Sequence, residues 1–68
     1  MIREFVATFV YQDSGGEYWF LDKASQEQYC FAGDAAALRR TDLREGRDVW
    51  LMLDEQGRLL RALPVLQS

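Results

Sequence analysis

Four consecutive turn formers, Asp13-Ser14-Gly15-Gly16, interrupt a chain otherwise dense in strand-forming residues. Before them Phe5, Val6, Thr8, Phe9, Val10 and Tyr11 are β-branched or aromatic, and after them comes Glu17-Tyr18-Trp19-Phe20-Leu21-Asp22. Such side chains suit a pleated surface, and glycine takes positive φ at no steric cost. The stretch predicts a hairpin with strands over 3–12 and 17–22. Residues 23–28 are polar and predict the next turn, and Tyr29-Cys30-Phe31 predicts a short third strand within 28–32.

The pattern changes at Gly33. Asp34 is a suitable N-cap, Ala35, Ala36 and Ala37 are strong helix formers, and Arg39 and Arg40 suit a helix C-terminus. About two turns of helix are expected there. Residues 42–46 predict a turn anchored by Leu43. From 47 to 54, Val49, Leu51 and Leu53 alternate with Trp50 and Met52. The first set is expected in the core, with Leu43 plugging one end. A turn at Glu55-Gln56-Gly57-Arg58 leads to a fifth strand over 58–65, where Pro64 belongs at an end or an edge. Three strands, a short helix and two more strands predict an all-β fold. The expected form is a small five-stranded barrel of the OB type, with the helix between strands 3 and 4. An SH3-like or Sm-like barrel has a similar inventory. The 68 residues are read as one domain over 1–68.

Several function classes lack the residues they need. There is no histidine, and Cys30 is the single cysteine, so neither an intramolecular disulfide nor a cysteine-based zinc cluster can form. Cys30 has no histidine to activate it as a nucleophile. Asp48, Asp54 and Glu55 do not follow calcium-loop spacing, and Gly15-Gly16 lacks the strand–glycine–helix setting of a phosphate loop. The expectation is a binding protein, not an enzyme, with no cofactor, metal or catalytic residue. One free cysteine fits a reducing cytoplasm. The first ten residues carry an acidic side chain and no small-residue cleavage site, so they do not read as a signal peptide. No apolar run reaches the roughly 20 residues of a membrane helix.

The chain resembles the cold-shock domain, an OB-fold family, over most of its length. Ala7-Thr8-Phe9-Val10-Tyr11 falls on that family's first strand, which ends in an exposed tryptophan. Gly16-Glu17-Tyr18-Trp19-Phe20-Leu21 falls on its first ribonucleoprotein motif: lysine, glycine, aromatic, glycine, phenylalanine, aliphatic. Tyr29-Cys30-Phe31-Ala32 falls on the second, usually phenylalanine, valine, histidine, phenylalanine. Leu43-Arg44-Glu45-Gly46 and Val49 match the approach to the fourth strand, and Ala62 and Val65 lie near the closing alanine and valine. Gly16 stands in place of the motif lysine, Phe31 in place of the histidine, and Trp19 where a small glycine packs. The rings are kept and the basic character is lost.

Residues two apart on a strand share a face, so Tyr18 and Phe20 point together, as do Tyr29 and Phe31. With Tyr11 they make up to five rings on one face. The resemblance implies that Tyr11, Tyr18, Phe20, Tyr29 and Phe31 stack the bases of single-stranded RNA or DNA. Arg39, Arg40, Arg44 and Arg47 are then either candidates for phosphate contacts at the rim or, the reading preferred here, a solvated surface interleaved with Asp42, Glu45 and Asp48. Alternatively this ring face is the core, which leaves Trp19, Leu21 and Cys30 outside. The net charge of -3 opposes phosphate binding, and Arg3 and Lys23 are the only cations before residue 39. A second function is therefore open: a protein-interaction module using an acidic and aromatic surface.

Overall fold

The ten residues of β1 (Arg3–Gln12) are long enough to pair with one strand along each edge. Ala7 to Gln12 runs against β2 (Tyr18–Asp22), and Arg3 to Thr8 runs against β4 (Asp48–Leu53). β3 (Gln28–Phe31) adds to β2, and β5 (Leu59–Pro64) adds to β4. One turn of helix, α1 (Ala36–Arg39), lies between β3 and β4. These elements are seen in a computed structural model that describes residues 1–65. The strands are all antiparallel, in the order β3-β2-β1-β4-β5, and lie close to the positions expected from the sequence pattern.

The expected barrel is not closed: β3 and β5 are the two edges of the sheet. The sheet is nevertheless strongly curled. Phe5 on β1 and Tyr29 on β3 are separated by a whole strand, yet their ring centroids lie 4.9 Å apart. On the β5 side α1 packs against the strand. The Thr41 hydroxyl lies 2.8 Å from the Ala37 carbonyl and 3.0 Å from the Ala62 carbonyl, tying the helix end to that strand.

The curl encloses Ala7, Phe9, Phe20, Phe31, Leu38, Val49, Leu51, Leu53 and Ala62. Phe20 is central, with Phe9 at 5.4 Å and Phe31 edge-on at 5.7 Å between centroids. Val49, Leu51 and Leu53 are buried, as their alternation indicates. The plug is Leu38, fully buried on α1, whereas Leu43 is only half-buried against the core. Asp34 does not cap the helix: the N-cap position is Ala35, without a side-chain hydrogen bond. A helix of four residues is held by burying Leu38 rather than by propensity.

Aspartates shape the tight turns. Asp13 Oδ1 accepts the N–H groups of Gly15 and Glu17 at 3.0 and 2.9 Å, and Asp54 Oδ1 those of Gln56 and Arg58 at 2.8 and 2.9 Å. Three residues on, Gly16 and Gly57 take φ of 86° and 82°, where a Cβ is strained. Asp22 accepts from Ala24 at 2.8 Å in the turn between β2 and β3.

Candidate functional site

The inner face of β2 and β3 is core, which corrects the five-ring stacking platform. Phe20 and Phe31 are 0% and 8% exposed, so no base can reach their ring faces without unfolding the sheet. Tyr18 and Tyr29 share that face and are half-buried against the core. The Tyr29 hydroxyl closes its rim, accepting from Arg3 at 3.0 Å and donating to Glu27 at 3.2 Å. The choice of face is set by β1 and β4. Their inward set is Phe5, Ala7, Phe9, Val49, Leu51 and Leu53, whereas Glu4, Thr8 and Asp48 fall on the other side. Phe20 pairs with Phe9 and inherits its direction.

Tyr11 is the exception among the five. Phe9 opposes Phe20, but Tyr11 opposes Trp19, so one extra residue, Val10, is inserted in β1. That bulge reverses the alternation and delivers Tyr11 to the outer face. There it stacks on Trp19, with centroids 6.3 Å apart and planes 7° from parallel. Tyr11 is 43% exposed and Trp19 half-buried. Across β2, Trp19 pairs with Cys30, so Tyr11, Trp19 and Cys30 form one outer row across three strands.

Two carboxylates fix this row. Asp13 spends Oδ1 on its own turn and Oδ2 on the Trp19 indole N–H at 2.9 Å, so the turn also sets the ring. The Trp19 hydrogen bond and the turn N–H groups hold the Asp13 carboxyl below its ordinary 3.8. Glu17 Oε2 accepts from Cys30 Sγ at 3.2 Å. Partial desolvation and then Glu17 push the thiol up to about 11, so it stays protonated at neutral pH although the residue is exposed. Trp19 causes no steric conflict in β2 because it points out of the core.

Among the described residues neither Asp13 nor Glu17 has an ion-pair partner. Lys23, the only cation between Glu4 and Leu38, pairs with Asp48 at 2.7 Å, and Asp48 also accepts from Thr8 at 3.1 Å. Arg39, Arg40, Arg44 and Arg47 lie in α1 and the segment leading to β4, not on the strands that carry the row. Arg40 lines, with Arg61, a groove of about 340 Å³ between α1 and β5, and Arg44 faces Asp42 at 3.6 Å. Sequence reasoning marked the Glu17 charge but missed Asp13 as the acceptor that fixes Trp19 and Glu17 as the acceptor for Cys30. The available signal was an outward tryptophan six residues from a turn aspartate, since an indole N–H away from bulk water needs an acceptor. The chain matches no protein-family model, no curated protein and no solved structure.

Proposed function

We propose that this domain is a protein-interaction module that takes a basic segment of its partner on the Tyr11–Trp19–Cys30 row. The observation carrying this reading is a stacked, accessible ring pair whose adjoining charges, Asp13 and Glu17, are carboxylates with no ion-pair partner among the described residues. A lysine or arginine over such a ring gains about 0.5–2 kcal/mol, and the carboxylates steer it there. A phosphate backbone meets the opposite field. Stacking of single-stranded nucleic acid needs several open ring faces, and Phe20 and Phe31 are closed. The strand order, with α1 between β3 and β4, supports reading the scaffold as an OB-type barrel left open between β3 and β5.

The test uses Trp50→Phe protein, in which Trp19 is the sole fluorophore of its kind. It is titrated at low salt with a blocked heptapeptide alternating arginine and valine, and separately with an oligothymidylate. The peptide is expected to give a saturable change in emission and the oligonucleotide none. Glu17→Lys is expected to weaken the peptide about tenfold, on the order of 1.4 kcal/mol, chiefly through a slower on-rate. Saturable oligonucleotide binding that Glu17→Lys tightens would replace this reading with single-strand recognition. No response to either ligand would remove both.

A further inference from the structure

The two edges of the sheet are treated differently. β5 is shielded by α1, by the Thr41 hydroxyl on the Ala62 carbonyl, and by Pro64, which has no N–H to offer. β3 has none of these devices: Gln28-Tyr29-Cys30-Phe31 holds no proline and no charge, and among the described residues no further strand lies beyond it. Folded proteins ordinarily blunt an open edge; β3 is limited only by its four-residue length, so its outward backbone groups are available for pairing.

The direction of its backbone groups follows from the pairing at its start. The Asp22 N–H donates to the Glu27 carbonyl at 2.8 Å and the Asp22 carbonyl accepts from the Gln26 N–H at 2.8 Å, a bulged hydrogen-bonded pairing with Gln26 at a φ of 65°. Alternation then turns the groups of Tyr29 and Phe31 towards β2 and those of Gln28 and Cys30 towards the open edge. The same two residues carry their side chains on the outer face, in line with Leu21 and Trp19.

We infer that the partner binds as an added antiparallel strand on β3, hydrogen-bonded to the N–H and C=O groups of Gln28 and Cys30. This rests on the reading of the ring row above and specifies the ligand further. Partner residues opposite Gln28 and Cys30 project onto the outer face, where the Glu17 carboxylate lies against Cys30. Those positions call for lysine or arginine. The intervening residues project onto the inner face beside Tyr29 and Phe31, and call for β-branched apolar side chains. The ligand class is therefore an extended segment alternating cationic and β-branched residues. A second copy of β3 does not fit, because it offers Gln28 and Cys30 where cations are required and brings a second Glu27 and Glu17 to the edge.

Backbone methylation of the peptide tests this without altering the protein's folding. In antiparallel addition the arginines of the arginine–valine heptapeptide donate their N–H groups to β3, and the valines turn theirs to solvent. Methylating the arginine amides is expected to weaken binding by about tenfold or more, the cost of losing one or two such bonds. Methylating the valine amides is expected to leave affinity within about twofold. Slower hydrogen exchange at the Gln28 and Cys30 amides in the complex is the matching readout. Equal affinity of both methylated peptides and the parent overturns the edge inference and leaves the ring row standing. Loss on valine methylation alone overturns the antiparallel pairing. Failure of the unmodified peptide to bind overturns both.

Discussion

On β2 and β3 the two sides of the sheet are both rich in large side chains, yet one is interior and the other is surface. Inward lie Tyr18, Phe20, Tyr29 and Phe31; outward lie Trp19, Leu21, Gln28 and Cys30. Ring content does not separate the two sets. What differs between the central ring of each set is its polar group. Phe20 has no polar atom to satisfy and sits at the centre of the core, whereas the Trp19 indole N–H requires an acceptor and finds Asp13 at 2.9 Å. A strand with two apolar faces takes its orientation from the neighbour whose faces differ, here β1, with Phe5, Ala7 and Phe9 on one side and Glu4 and Thr8 on the other.

The largest expected effect breaks the inward side. Phe20→Ala should cost about 3–5 kcal/mol through lost transfer energy and a residual cavity, enough to unfold a marginal small domain. Chemical denaturation followed by circular dichroism checks it, and a cost below about 1 kcal/mol would mean that the inner face is not the core. Gly33 comes next. A Cβ there would lie 2.6 Å from the Gly16 carbonyl oxygen, a backbone atom that cannot swing aside. Gly33→Ala is therefore expected to cost about 1–3 kcal/mol and to disturb the turn that positions Asp13.

Acid should erode both sides together. Asp13 is held below 3.8 by Trp19 and turn N–H groups, Asp22 by Ala24, Asp48 by Lys23 and Asp54 by Arg58. Each folded pKa lies below its unfolded value. The stability they contribute is thus complete above the ordinary carboxylate value and is lost as pH falls through the depressed folded values. Stability from neutral pH down to about 5 should be flat, with the decline beginning near 4. Asp54→Asn, measured by thermal unfolding across that range, is expected to make the acid limb shallower.

Five strands and the short helix were legible because turn formers bound each apolar run, and Val49, Leu51 and Leu53 were placed correctly by alternation against polar flanks. The ring platform was misread for two physical reasons. Alternation gives parity but not sign where both faces are apolar, as at Tyr18-Trp19-Phe20-Leu21. A bulge then changes parity without a sequence marker, and Val10 moved Tyr11 to the opposite side from Phe9. Closure was also beyond the pattern, since it depends on whether β3 and β5, distant in sequence, meet in space.

The smallest stability effect belongs to the outward side. Tyr11→Ala should cost about 1 kcal/mol or less, the worth of an exposed aromatic pair, while reducing peptide affinity several-fold. Set beside Phe20→Ala, it separates a ring that binds from a ring that packs.

Chemical-shift mapping compares the two faces in one measurement. Labelled protein is titrated with the arginine–valine heptapeptide while the Trp19 indole N–H and the backbone amides of Tyr11, Gln28, Cys30, Ala7, Leu51 and Leu53 are followed. The expected result is saturable shifts at Tyr11, Trp19, Gln28 and Cys30, with Ala7, Leu51 and Leu53 unmoved. Shifts confined to the arginine groove of Arg40 and Arg61, or none at saturating peptide, would contradict the assignment of the outer row as the binding face.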